Sequence, residues 1–170
     1  MKIPALVVCA SLFAAAAISA APAKESAGGS DAAFVAKAAN GGMTEVELGK
    51  IAADKGQNQA VKDFGSRMVT DHSKANDQLK SIASKLGASV PDKADAKHQA
   101  VIDRFMKMQA GAAFDKAYAS NMVKDHEEDV AEFQKASKQV KDADLKNFIN
   151  DTLPVLKEHL AMAKKLGSSK

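Results

Sequence analysis

The sequence predicts an all-α protein, a four-helix bundle with one short extra helix. Aromatic residues make up only 5% of the 170 residues, Trp is absent, and Ala, Lys, Asp and Met are abundant. Strands instead favour β-branched and aromatic residues. With 46% hydrophobic residues, a chain of this length forms one compact domain rather than two. The composition therefore argues against a β fold and against a second domain.

The first 23 residues have the pattern of a secretory signal peptide. A Lys near the start precedes an apolar run over residues 3–18, followed by small residues with cleavage points after Ala20 and after Ala23. A membrane-spanning helix needs about 20 consecutive apolar residues, more than this run provides. Cleavage would remove Cys9, the only cysteine, and with it any Cys metal ligand. We expect an exported chain with no transmembrane segment after cleavage.

Helix caps and stops divide the rest of the chain. Residues 24–30 are small and polar and are predicted to be a flexible tail, and residues 31–167 form the predicted bundle domain. Asp and Asn favour the first position of a helix, and Gly favours the position just after its end. The predicted helices run from Asp31 to Lys55, from Asn58 to Leu86, from Asp92 to about Gln109, from about Ala112 to Val140, and from Asp142 to Leu166.

The connections predict how the four long helices are arranged. All but one are a few residues long, which makes consecutive helices antiparallel neighbours. The exception, about 24 residues that contain the short helix, is long enough to return the chain to the same end of the bundle, as in ferritin-like proteins. An up-down-up-down arrangement is the alternative. We predict a ferritin-like four-helix bundle with the short helix in the crossover between the second and third long helices.

A polar residue interrupts the apolar stripe of each long helix near its middle. These residues are Glu45, His72, His126 and His159. In either topology they would lie at a similar depth in the bundle. A buried imidazole or carboxylate without a partner costs about 1–3 kcal/mol, and a divalent metal can satisfy several of them at once. Imidazoles with one carboxylate suit Zn, Fe or Mn. Copper is favoured less, because the Met residues that could bind it lie at spacings typical of core packing.

An acid stands directly before each of these three histidines, namely Asp71, Asp125 and Glu158. Adjacent residues on a helix differ in direction by about 100°, so the acids cannot point inward together with the imidazoles. We expect them, with Asp129, to accept hydrogen bonds from the imidazoles around a metal or to bridge to the next helix. His98, on the short helix, is predicted to face solvent or to cover the bundle.

Several motifs, in order along residues 31–166, resemble those of a known family. They are Glu45-Val-Glu-Leu-Gly49, Met68-Val-Thr-Asp71-His72, Phe114-Asp115-Lys-Ala-Tyr118, Met122-Val-Lys-Asp125-His126 and Glu158-His159-Leu160. In these motifs the chain resembles the exported bacterial family known as domain of unknown function 4142. The resemblance implies a plan similar to ferritin-like bundles and a periplasmic or outer-membrane location, but no activity. Di-iron bundles use Glu-x-x-His pairs, and their absence at these positions favours a single metal ion.

Three functional hypotheses remain open. The first is a metal-binding bundle, and the second is a metal-free envelope or stress-related protein whose buried His and Glu layer fixes helix register. The third is a redox or hydrolytic metalloenzyme, which would need an open coordination position. The formal charge of +3, from 24 basic and 21 acidic residues mixed along the chain, forms no basic stripe, so we expect no nucleic-acid partner. Neither a protein partner nor an oligomeric state follows from the sequence.

Overall fold

The structure, a computed structural model, describes residues 29–168. Over this range the chain forms five helices and no strand: α1 (Gly29–Lys55), α2 (Gln59–Leu86), α3 (Ala96–Lys107), α4 (Ala112–Gln139) and α5 (Ala143–Ser168). The predicted all-α bundle with a short extra helix is thus confirmed. The predicted signal peptide, with its cleavage points and Cys9, and most of the predicted tail lie outside the described residues. None of the five helices is long and apolar enough to cross a bilayer.

Hydrogen bonds at the bundle ends establish the direction of each long helix. Near the start of α1, Asp31 accepts hydrogen bonds from two backbone N–H groups in the α4–α5 turn. Lys85, near the end of α2, pairs with Asp144 at the start of α5 at 2.7 Å. At the opposite end, Asp115 in the first turn of α4 accepts from two N–H groups of the α1–α2 turn. Because α2 and α4 therefore run in the same direction, the connection is the ferritin-like crossover.

Two helix starts differ from the prediction. Asp31 does not cap α1, which begins two residues earlier, because its carboxylate binds the α4–α5 turn instead. The crossover helix α3 begins after Asp95 rather than at Asp92, since the Asp95 carboxylate accepts the N–H of His98 at 3.0 Å and so occupies the capping position. The caps predicted at Asn58 and Asp142 are present, and each accepts a backbone N–H at 2.9 Å.

A polar layer divides the apolar core into two clusters. The cluster near the α4–α5 turn includes Phe34, Leu79, Phe133 and Ile149. The cluster at the other end includes Leu48, Met68, Tyr118 and Met122. Between them lie the four predicted inward polar residues, none more than 5% exposed: Glu45, His72, His126 and His159. The bundle therefore buries four polar side chains at one depth, where each must find a partner.

Candidate metal centre

Three imidazoles from three helices meet in the polar layer. His72 comes from α2, His126 from α4 and His159 from α5. One side-chain nitrogen of each ring lies within 4.8 Å of those of the other two. The ring centroids are 5.3–5.9 Å apart. The structure therefore brings together the three histidines selected from the apolar stripes.

One nitrogen of each imidazole faces an oxygen atom at hydrogen-bond distance. The three pairs are His72 Nδ1 with Glu45 Oε2 at 2.9 Å, His126 Nδ1 with the carbonyl oxygen of Met122 at 2.9 Å, and His159 Nε2 with Asp71 Oδ2 at 2.8 Å. A neutral imidazole that donates from one nitrogen has its lone pair on the other. These contacts therefore set the tautomer of each ring.

The second nitrogen of each ring is buried and has no hydrogen-bond partner among the described residues. These atoms are His72 Nε2, His126 Nε2 and His159 Nδ1. A neutral imidazole binds a metal through such a nitrogen, while its opposite N–H donates to a carboxylate or a carbonyl group. Each unpartnered buried acceptor costs about 1–3 kcal/mol, which a shared cation would offset. The donor set therefore has the chemistry of a metal centre.

Glu45 contacts two of the three imidazoles. Its Oε2 holds His72, whereas its Oε1 lies 3.3 Å from His126 Nε2 without forming a hydrogen bond. Two acceptors at this distance repel each other unless a proton or a cation lies between them. Burial raises the pKa of Glu45 to about 7, although His126 opposes the rise. Glu45 is not in the group of atoms within 4.8 Å, so the structure places it beside the three imidazoles.

Burial lowers the pKa of all three imidazoles. The pKa of His72 falls to about 4, with Asp71 and Asp125 opposing the change. The pKa of His126 is lowered despite the neighbouring Glu45 carboxylate, and that of His159 despite its hydrogen bond to Asp71. Desolvation of the charged form outweighs these attractions. The rings therefore keep the neutral, metal-binding form at lower pH than a free histidine, whose pKa is about 6.5.

Two of the predicted surrounding acids lie on the α2–α5 side of the site. Asp71 orients His159 on the neighbouring helix rather than His72, which follows it in sequence. Partial burial acts to raise the pKa of Asp71, but the hydrogen bonds from His159 and Arg67 outweigh it and lower the pKa. Among the described residues, Glu158 forms no hydrogen bond with an imidazole and instead accepts one from Arg67 at 2.8 Å. Asp71 therefore acts directly on the imidazoles, and Glu158 acts only through Arg67.

The other two predicted acids, Asp125 and Asp129, lie on α4 and are partly exposed. Among the described residues neither makes a hydrogen bond or an ion pair, so neither orients an imidazole as we expected. Burial raises the pKa of both carboxyl groups, with Glu128 adding to the rise at Asp125 and Glu45 at Asp129. His98 lies outside the layer, paired with Asp95 at 2.7 Å.

The comparisons with known proteins place the chain in a family. The sequence matches the family model "Domain of unknown function (DUF4142)" over residues 15–166. The chain belongs to the DUF4142 family. The resemblance identified from the motifs is thus confirmed, and the match includes all residues of the polar layer. No curated protein matches this DUF4142 chain.

A solved structure supports the fold of the DUF4142 chain. It is the crystal structure of a DUF305 fragment from Deinococcus radiodurans, which matches with a TM-score of 0.72 at 12% sequence identity. The match covers 85% of this chain and 99% of the fragment. At such low identity the similarity shows a shared helical fold and nothing about the site.

Tyr118 adds a buried polar group that our sequence analysis did not select. Its ring stacks on Phe114 with centroids 6.1 Å apart, and its hydroxyl is buried without a partner among the described residues. Burial raises its pKa, and the Glu45 carboxylate raises it further. The apolar stripe predicts that Tyr118 is inward, but a stripe does not indicate whether a hydroxyl finds a partner.

We expect Tyr118→Phe to leave the metal-free DUF4142 protein as stable as the wild type, or up to about 1 kcal/mol more stable. The substitution removes a buried hydroxyl that forms no hydrogen bond and keeps the ring. Urea unfolding in EDTA measures the change, with Tyr118→Ala as the comparison that loses the ring and about 3–5 kcal/mol. A loss above about 1 kcal/mol for Tyr118→Phe would show that the hydroxyl has a stabilising partner.

Glu45→Gln is expected to stabilise the metal-free DUF4142 protein by roughly 2 kcal/mol at pH 8. The amide oxygen can accept from His72 Nδ1 as the carboxylate does, and the amide N–H can donate to His126 Nε2, so the first contact is kept and the second becomes favourable. Since burial raises the pKa of Glu45 from 4.5 to about 7, the cost of its charge is present above pH 7 and lost as the pH falls towards 4.5. The gain should therefore fall to about a quarter of that value at pH 5.

Urea unfolding in EDTA at pH 5 and pH 8 tests this difference. The matched control is Glu47→Gln, an exposed position on the same helix, which we expect to change stability by less than about 0.5 kcal/mol at either pH. A stability change in Glu45→Gln that is the same at both pH values would mean that Glu45 does not titrate as a buried acid.

Proposed function

We propose that this DUF4142 protein is an exported helical-bundle protein that binds one divalent transition-metal ion through His72, His126 and His159. One observation carries the proposal. Each of the three buried rings has one nitrogen oriented by an oxygen atom and the other without a partner. This is the arrangement that surrounds histidines bound to metals in proteins.

Glu45 supplies the carboxylate of the proposed centre. Its Oε1 faces His126 Nε2 at 3.3 Å and has no hydrogen-bond partner, so a cation there would replace a repulsion with an attraction. A set of three imidazoles and one carboxylate suits Zn²⁺, Fe²⁺ or Mn²⁺, with copper favoured less. Zn²⁺ binds nitrogen at about 2.0–2.1 Å, which places ligand nitrogens about 3.4 Å apart. The three rings and Glu45 would therefore close in slightly on the ion.

Four protein ligands favour metal binding over catalysis. Catalytic zinc centres keep one position for water or substrate, whereas structural centres fill all four with side chains. With Glu45 bound, a tetrahedral ion in the proposed site has no position left for water or substrate. The signal-peptide pattern over residues 1–23 supports export to the periplasm or outer membrane.

Metal analysis of the protein purified from the periplasm tests the proposal. We expect about one ion per chain by elemental analysis, and a mature N-terminus at Ala21 or Lys24 by mass spectrometry. EDTA should lower the thermal midpoint, because an ion that binds only the folded state stabilises it. Near-zero metal, together with no uptake of added Zn²⁺, would overturn the proposed metal site.

A metal-free envelope protein is the second candidate, and the raised pKa of Glu45 favours it. With a pKa of about 7, Glu45 can keep a proton between its Oε1 and His126 Nε2. Protonated in this way, the layer would fix the register of the helices without an ion. This candidate predicts a thermal midpoint that EDTA does not change.

A further inference from the structure

The two sides of the imidazole cluster differ in how their acids are paired. On the α2–α5 side, Asp71 is bonded to His159 and to Arg67, and Arg67 also pairs with Glu158. Both acids on this side are therefore already engaged by a guanidinium group. On the α1–α4 side, Lys37 is paired with Glu132 at 2.8 Å. We call the contact between α1 and α4 around Gly41 and Asp129 the α1–α4 seam.

A small cavity is lined both by residues of this seam and by residues of the polar layer. It has a volume of about 20 Å³, and its lining includes Gly41, Glu45, His72 and Asp129. A cavity of this size holds one water-sized species. A Cβ atom on Gly41 would have only Asp129 Oδ1 within 4 Å, at 3.8 Å, so the absence of a side chain there leaves space beside the carboxylate. The cavity thus connects a partly exposed acid with a buried one.

Among the described residues neither carboxylate forms an ion pair with a Lys or Arg side chain, although the charge of Lys37 acts to lower the pKa of Asp129. Among the described residues Asp129 makes no hydrogen bond or ion pair, and Glu45 Oε1 is buried without a partner. Burial raises the pKa of Asp129, and the charge of Glu45 raises it further, so the two acids repel each other. A divalent cation between them would relieve both the repulsion and the desolvation.

We propose that divalent cations reach the three imidazoles through the α1–α4 seam, where Asp129 captures the ion and Glu45 Oε1 passes it to His126. This inference rests on the proposed metal site and adds its route of uptake. Asp129 acts during capture and is not a ligand of the bound ion. Its loss should therefore slow association and dissociation together and change the dissociation constant much less.

Stopped-flow mixing of the metal-free protein with Co²⁺ at low ionic strength tests the route. We expect Asp129→Asn to slow association about tenfold and to weaken its dependence on salt, since a charge at the opening steers the ion. The matched control is Asp151→Asn, which removes one exposed carboxylate on the α2–α5 side and should change the rate by less than about twofold.

A second variant tests the space rather than the charge. Gly41→Leu fills the opening beside Asp129, so it should slow uptake at both low and high salt. Unchanged rates in both Asp129→Asn and Gly41→Leu would overturn the route while leaving the metal site intact. Slowing by Asp151→Asn alone would also overturn it, because the ion would then enter from the α2–α5 side. A wild-type chain that binds no Co²⁺ would overturn the site and the route together.

Discussion

Replacing both His72 and His126 by Ala is expected to lower the affinity for Zn²⁺ by more than about a thousandfold. Residues that only orient metal-bound imidazoles contribute 10–100-fold, so the loss of two of three imidazoles should cost more. The remaining His159 and Glu45 cannot hold a divalent ion in competition with water. Competition with a coloured chelator measures the affinity, and circular dichroism shows whether the variant remains helical.

The fourth histidine provides the matched control. His98 lies on α3, outside the polar layer, where its ring pairs with the cap residue Asp95. His98→Ala should therefore change the affinity for Zn²⁺ by less than about twofold. Wild-type affinity in the double variant, or an equal loss in His98→Ala, would show that the buried imidazoles are not the metal ligands.

The depth of each polar residue along its helix was enough to predict which side chains meet. The apolar stripe fixes the inward face of a helix, and the position between the helix ends fixes the level in the bundle. These two quantities placed His72, His126 and His159 in one layer. Hydrogen-bond partners across helices also depend on the rotation and shift of one helix against the next. This is why Asp71, directly before His72, orients His159 instead.

The crossover was predictable from connection length, whereas two helix starts were not. A segment of about 24 residues can return along the bundle, and the end contacts of Asp115 and Asp31 show that it does. At the start of α1, the Asp31 carboxylate binds the α4–α5 turn instead of capping its own helix. At the start of α3, two acids three residues apart could both cap, and it is Asp95, whose own N–H donates to Asn40 Oδ1 on α1, that occupies the cap.

Gly65→Ala is expected to lower the free energy of unfolding by roughly 3 kcal/mol or more. A Cβ atom at this position would lie 2.7 Å from the carbonyl oxygen of Gly49 and 2.9 Å from the backbone nitrogen of Ala53. Real Cβ atoms essentially never approach other atoms below 3.0 Å. Because both neighbouring atoms belong to the backbone of α1, no side chain can move aside. The two helices would have to separate, and urea unfolding in EDTA measures the cost.

The matched control for this steric effect is Gly41→Ala, which also lies inside a long helix, in this case α1. Only Asp129 Oδ1 would lie within 4 Å of the new Cβ, at an ordinary contact distance of 3.8 Å, so the gain in helix propensity should dominate. We expect stabilisation by up to about 1 kcal/mol. A similar loss in both variants would mean that glycine is not required for the close approach of α1 and α2.

Since Glu45 on α1 holds His72 on α2, separation of these helices by Gly65→Ala should also weaken Zn²⁺ binding, whereas Gly41→Ala should leave the affinity unchanged.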